Sequence, residues 1–347
     1  MKVALFDFDL PADRIAQHPV NPRDAARLLV VGPRTLEDRT ICDLPRLLRR
    51  GDRLVHNDTR VIKARLDGHR GTAGVEVTLH RRLDDETWRA FARPAKKLKT
   101  GDIIEFAQEF SAETRAKGEG GEVTLVFSLA GAALDAALER HGRMPLPPYI
   151  KRAKGGDRRD DADYQTIWGK RAGAVAASTA GFHFTKKLLA ELEAAGVART
   201  ALTLHVGAGT FLPVKVDDTR DHQMHSEWGE LTAHAAEEIN TTREAGGRIV
   251  AVGTTALRVL EAVADESGRV KPWSGEIDLF ITPGYRFKAV DLLLTNFHLP
   301  RSTLLMLAAA FAGLARIKTA YAHAVASGYR FYSYGDCCLL HPAGAAR

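Results

Sequence analysis

Two apolar runs, Val290 to Leu294 and Leu304 to Leu314, enclose the polar stretch Thr295-Asn296-Phe297-His298-Leu299-Pro300-Arg301-Ser302-Thr303. The first run has the length of a buried strand and the second that of a buried helix. Pro300 keeps the helix from starting earlier, and Ser302 or Thr303 can cap its first free N–H groups. Core strand, polar corner and core helix, in that order, predict an α/β fold that carries ligands at the carboxyl end of its sheet. The plainer reading is a capped junction whose polar groups only complete the turn.

Three sister corners strengthen the first reading. Arg248 to Val252 leads through Gly253-Thr254-Thr255 into a helix over Ala256 to Ala264. Ala201 to Val206 leads into Gly207-Ala208-Gly209-Thr210, and Ala174 to Ala177 leads through Ser178-Thr179-Ala180-Gly181 toward a helix capped near Thr185. Four strand ends rich in Gly, Thr, Asn and His predict a mostly parallel sheet with one shared pocket. The Gly207 loop lacks the third glycine of a dinucleotide fingerprint, and Phe211-Leu212-Pro213 breaks any helix after it.

Between Lys63 and Ile150 the texture changes to short alternating runs, such as Val75 to Leu79, Trp88 to Phe91, Ile103 to Phe106 and Val123 to Phe127. Strands at this spacing predict a small antiparallel barrel or sandwich. The expected organisation is therefore a larger α/β domain over 1–62 and 151–347, with an inserted barrel over 63–150. A chain of 347 residues accommodates two domains. No apolar run approaches the ~20 residues of a membrane span, so no membrane association is expected. Three cysteines, two of them adjacent, give neither a disulfide framework nor a zinc spacing. A cytoplasmic monomer is expected. The net charge of +6 permits a nucleic-acid partner without demanding one.

Histidine is the main chemical resource: His183, His205, His222, His225 and His298 sit in or near these corners. Imidazole moves protons near neutral pH, although any one of these rings can equally be a core or capping group. His222 and His225 with Glu227 lack the order of a helical zinc motif, and no metal is expected. Asn57-Asp58-Thr59-Arg60 ends a strand where the chain leaves for the β section. Asp58 and Arg60 there either pair structurally or line a cleft. Basic residues cluster at Arg93, Lys96, Lys97 and Lys99, and again around Lys151 and Arg152. Such clusters mark either a solvated face or a track for phosphates.

Read together, these motifs form a recognisable series. Asp7-Phe8-Asp9-Leu10-Pro11, Asn57-Asp58-Thr59-Arg60-Val61-Ile62 and Met144-Pro145-Leu146-Pro147-Pro148-Tyr149-Ile150 begin it. Tyr164-Gln165-Thr166, Thr179-Ala180-Gly181 with His183-Phe184, and Leu204 to Phe211 continue it, followed by His225-Ser226-Glu227 and Val252-Gly253-Thr254-Thr255. Thr295 to Met306 and Tyr329 to Asp336 complete it. The chain resembles, nearly end to end, the S-adenosylmethionine:tRNA ribosyltransferase-isomerase family of queuosine biosynthesis. Departures from the family pattern are small: Ser178 replaces a proline, Phe182 a leucine, and Cys337-Cys338 an Ala-Met pair.

The resemblance implies a larger α/β domain carrying a small β-barrel. It also implies transfer of the ribosyl part of S-adenosylmethionine to a 7-aminomethyl-7-deazaguanine at the tRNA wobble position. The sugar is rearranged to an epoxycyclopentanediol, and adenine and methionine leave. S-adenosylmethionine is thus a consumed cosubstrate, and no permanently bound cofactor is expected.

Such chemistry needs a base for protons on carbon or on the incoming ammonium, and an acid for departing adenine. We assign proton transfer to His183 and His298, and set Glu227 or Asp58 against the sulfonium or the sugar hydroxyls. Thr179, Gly181, His205, Gly207, Gly209, Thr210, Thr254, Thr255, Asn296 and Arg60 are read as substrate-binding. Arg93, Lys96, Lys97, Lys99 and Arg152 are read as tRNA-binding, with Tyr332 and Tyr334 as stacking groups for a splayed base and Phe297 as a core ring. An ordinary S-adenosylmethionine-dependent RNA methyltransferase and a non-catalytic RNA-binding protein are the alternatives.

Overall fold

A computed structural model describes residues 1–153, 156–207 and 214–344. Its centre is a nine-stranded sheet. From one edge to the other the strands are Trp273–Ile277, Glu227–Leu231, Ala198–Leu204, Arg53–Asn57, Ile249–Val252, Leu292–Asn296, Cys337–Leu340, Arg27–Val31 and Leu36–Thr40. The four from Ala198–Leu204 to Leu292–Asn296 run parallel, and antiparallel pairs flank them on both sides. The parallel character expected from the corners therefore holds for the centre of a mixed sheet.

Ile249–Val252 and the first part of Leu292–Asn296 are continuous apolar runs because both faces are covered. Period-2 alternation sends Leu29, Val31, Ile249, Ala251 and Leu293 into one core. Leu28, Val30, Val250, Val252, Leu292 and Leu294 point into the other. Helices Ala233–Glu244, Gly253–Val263, Thr303–Ala312 and Leu314–Ala326 supply the first core, and Lys186–Ala194 the second. The corner after Asn296 is built as its residues suggest: Ser302 Oγ accepts the Leu305 N–H at 3.2 Å, and the helix starts at Thr303. It ends at Ala312, where Gly313 takes φ +92° and turns the chain into the next helix.

A closed six-stranded antiparallel barrel occupies the chain between the Arg53–Asn57 and Ala198–Leu204 strands. Around the barrel the strands run Glu122–Phe127, Thr87–Arg93, Ala73–Arg82, Arg65–Arg70, Ile103–Ala107 and Phe110–Lys117. Leu66, Val77, Leu79, Trp88, Ile104 and Leu125 fill a core of its own.

One expected strand lies elsewhere. The strand is Arg171–Ala174, one turn earlier than Ala174 to Ala177, and it pairs in parallel with Thr59–Val61 in a separate two-stranded ribbon. The Val175 and Ala176 amides both donate to the Val206 carbonyl, at 2.9 and 3.0 Å, instead of entering a ladder of the main sheet. The small residues there cross the strand ends.

Candidate active site

A cleft of about 2050 Å³ lies between the barrel and the carboxyl edge of the sheet. Small-molecule sites commonly occupy ~300–1000 Å³, so this one has room for a nucleoside together with a nucleotide base. Its barrel wall carries His80, Arg81, Arg89, Phe91 and Arg93; the opposite wall carries Arg60 and Gly173 from the ribbon and His205, Gly207, Glu227 and Trp228 from the edge of the sheet.

Glu227 opens a strand that runs antiparallel to Ala198–Leu204, so its side chain arrives beside the end of that neighbour. One carboxylate oxygen accepts the Gly207 N–H at 3.0 Å, and the other pairs with the Arg258 guanidinium. Arg258 is 2% exposed and stands on the core helix Gly253–Val263; its Nε and Nη1 have no hydrogen-bond partner among the described residues. A buried pair of this kind is net neutral, which leaves Glu227 less free to act as counter-ion to a sulfonium.

His205 follows the Ala198–Leu204 strand directly. Its Nδ1 lies 2.8 Å from the Thr59 hydroxyl, and its ring stacks on Trp228 at 5.3 Å between centroids. Burial, reinforced by the nearby Arg171 charge, pushes its pKa down to about 4.

The segment from Val175 to His183 then runs along the strand ends. It meets Val206 first. Ser178 Oγ lies 2.8 Å from Thr255 Oγ1, and His183 Nε2 lies 3.3 Å from Asn296 Oδ1. Asn296 Nδ2 in turn donates to the Tyr332 and Ser333 carbonyls at 3.0 and 3.3 Å. Thr179 and Gly181 belong to the tight turn Thr179–His183 of this segment. Buried Thr254 and Thr255 start the helix beneath it. Burial holds His183 neutral, down to about 4, with the Asn296 bond opposing.

The structure therefore brings together Arg60, Arg93, His205, Gly207 and Glu227 on the cleft, and ties His183 to Asn296 away from its walls. His298 is also off the cleft. Its Nε2 bonds Thr295 Oγ1 at 2.9 Å, its N–H donates to the Tyr321 hydroxyl at 3.0 Å, and burial pushes its pKa down to about 3. Asp58 accepts from the Thr203 hydroxyl at 2.8 Å, and burial raises its carboxyl. Gly209 and Thr210 lie outside the described residues.

Of the basic residues, Lys96, Lys97 and Lys99 are exposed beyond the cleft. Arg152 lines it, but its guanidinium is held by Asp160 at 2.8 and 2.9 Å and by the Gln17 carbonyl at 2.9 Å. Tyr332 and Tyr334 are 6% and 2% exposed, which leaves neither ring open for the expected stacking.

Sequence reasoning missed three groups. Arg258 had a visible signal, a lone cation inside an apolar helical stripe. His80, hydrogen-bonded to Glu122 at 2.9 Å and stacked on Phe91, hides in an ordinary alternating strand. His56 stacks on Trp168 at 4.1 Å, a contact between distant segments that no local pattern announces.

The profile of the family described as Queuosine biosynthesis protein matches residues 3–340. The chain is 62% identical over 343 residues to the S-adenosylmethionine:tRNA ribosyltransferase-isomerase of Rhodospirillum rubrum, covering 99% of both chains. It is 60% identical to the protein of the same name from Methylocella silvestris, over 99% of this chain and 98% of that one. Among solved structures it is similar to S-adenosylmethionine tRNA ribosyltransferase from Thermotoga maritima. The TM-score there is 0.56, with 36% identity, covering 96% of this chain and 99% of that one.

Proposed function

The chain belongs to the queuosine biosynthesis protein family, and from that premise we propose what its cleft does. It is a transferase of the S-adenosylmethionine:tRNA ribosyltransferase-isomerase type. The ribosyl moiety of S-adenosylmethionine passes to the 7-aminomethyl-7-deazaguanine base at the tRNA wobble position and is isomerised there. The products are epoxyqueuosine-tRNA, adenine and methionine. The observation that carries this reading is the 62% identity over 99% of both chains to a relative bearing that activity in its name.

The geometry supports it. A cleft this large takes the cosubstrate and one extruded base side by side. Arg60 and Arg93 on the cleft, with Lys96, Lys97 and Lys99 beyond it, meet the tRNA backbone. Arg152 instead fastens the chain after the barrel to Asp160. Glu227 holds the Gly207 corner, while Thr254, Thr255 and Asn296 shape the floor from which Val175 to His183 is hung. In this reading residues 1–62 and 151–347 form the catalytic domain and 63–150 the inserted barrel, working as a cytoplasmic monomer.

The deciding experiment incubates the protein with S-adenosylmethionine and tRNA carrying the aminomethyl deazaguanine. Adenine and methionine released in equal amounts, with an epoxide-bearing nucleoside by mass spectrometry, are expected. S-adenosylhomocysteine would make the enzyme a methyltransferase, and RNA binding without turnover would make it a binding protein.

A further inference from the structure

We propose that His205 is the catalytic proton acceptor, its Nε2 taking the proton that the aminomethyl nitrogen sheds on becoming a nucleophile; this rests on the reaction proposed above. Four histidines, His56, His183, His205 and His298, are held neutral with strongly lowered pKa values, and of these only His205 lines the cleft. His69, His80 and His225 line the cleft too, but His69 and His225 are exposed and His80 Nε2 is committed to Glu122 at 2.9 Å.

The hydrogen bonds around His205 accommodate the tautomer that leaves Nε2 unprotonated. Thr59 Oγ1 donates to the Arg171 carbonyl at 3.3 Å and lies 2.8 Å from His205 Nδ1. A hydroxyl has one proton. Given to the carbonyl, it leaves the oxygen to accept Nδ1–H, and Nε2 then carries a bare lone pair.

The ring is also held in place. Trp228 stacks against it, and Gly173 packs so close that a Cβ there would lie 2.8–2.9 Å from Cε1, Nδ1 and Nε2. Gly173 is the bulge residue of its ribbon, skipped between the pairs Ala172–Arg60 and Ala174–Val61, with φ +147°. A glycine at a strand bulge is where a backbone can let another group approach this closely. A ring fixed in orientation, lining the cleft and with no hydrogen-bond partner for Nε2 among the described residues, is a prepared base.

The step itself is a single proton transfer. The aminomethyl group enters as an ammonium, and Nε2 removes one N–H proton. The electron pair stays on nitrogen and the proton rests on the imidazole; as that pair forms the new C–N bond, the ribosyl carbon gives up its bond to a departing group, adenine or methionine.

The test compares wild type with His205→Asn and His205→Ala. Asn can keep the bond to Thr59 but has nothing in the place of Nε2. Both variants are expected to lose about 100-fold or more in kcat with KM for S-adenosylmethionine within about threefold. Imidazole added to His205→Ala should restore turnover. Gly173→Ala, which displaces the ring, should lower kcat without weakening tRNA binding. A folded His205→Asn with kcat near wild type overturns the proposal, as does a loss confined to KM that imidazole leaves unchanged. A wild-type protein that releases no adenine or methionine overturns the underlying reaction instead.

Discussion

Acid should unfold this protein steeply; three buried histidines set most of the slope, and His205, lowered to about 4, adds to it. His56, His183 and His298 are 5%, 4% and 8% exposed, and burial pushes their pKa values down to about 3, 4 and 3. In the unfolded chain each returns to ~6.5. The folded values are the lower ones, so the stability these groups contribute is fully present above ~6.5 and is lost as pH falls toward their folded values. At pH 5.5 each ring is about nine-tenths protonated when unfolded and almost unprotonated when folded, so unfolding takes up about 2.7 protons. Each proton contributes about 1.4 kcal/mol per pH unit, giving a slope of about 4 kcal/mol per pH unit. Carboxylates with lowered pKa values, such as Asp43 and Asp157, act below this window. Asp58 and Glu261, raised by burial, oppose the trend in part. Urea unfolding between pH 5 and 8 at constant ionic strength reads the slope directly. His56→Gln should remove about one proton's share of it. A wild-type slope below about one proton, or a His56→Gln slope equal to wild type, would refute the assignment of these rings as buried and neutral.

Arg258→Met should cost about 3–5 kcal/mol by leaving Glu227 buried and unpaired, and the double variant with Glu227→Gln should recover most of that; additive losses in a denaturation cycle would contradict the pairing. Ser178→Pro should be tolerated within about 1 kcal/mol, because φ is −76° and the Ser178 amide donates to no backbone carbonyl among the described residues. A fall in unfolding free energy beyond about 3 kcal/mol would show that the Thr255 contact matters more than the backbone fit. Arg93→Ala should make the salt dependence of tRNA binding shallower by about 0.7 to 0.9 in log–log slope. Arg152→Ala should leave that slope unchanged and lower the melting temperature, since it strands buried Asp160.

The local signals in this sequence were readable because each is short-range. Pro300 and Ser302 define the start of one helix by their own chemistry, and alternation at Val75 to Leu79 or Val123 to Phe127 reports a half-buried strand without reference to its partner. Two barrel strands, Arg65–Arg70 and Phe110–Lys117, were not read. The first carries His, Gly and charges, and the second ends in a charged tail, so closure of the barrel had to supply what alternation did not. The site was legible in its residue types and not in its partition. Corners at His183, His205 and His298 look alike in sequence. Which one opens on the cleft depends on a ribbon, a crossing segment and Tyr321, all distant in sequence.

That ribbon links the insertion of the barrel to the chemistry of the cleft. Thr59–Val61 leads the chain out of the sheet toward the barrel, and Arg171–Ala174 pairs with it before the chain crosses the strand ends. The two strands set how the barrel stands over the carboxyl edge. The same two strands hold the His205 ring, through the Thr59 hydroxyl on one strand and the Gly173 bulge on the other. A barrel inserted elsewhere in the sheet would leave both contacts behind. The position of the insertion, immediately after Asn57-Asp58, is therefore a condition for the oriented imidazole as well as a wall for the cleft. A side chain at Gly173 would meet the imidazole itself, which is why a residue with no side chain carries so much of the geometry.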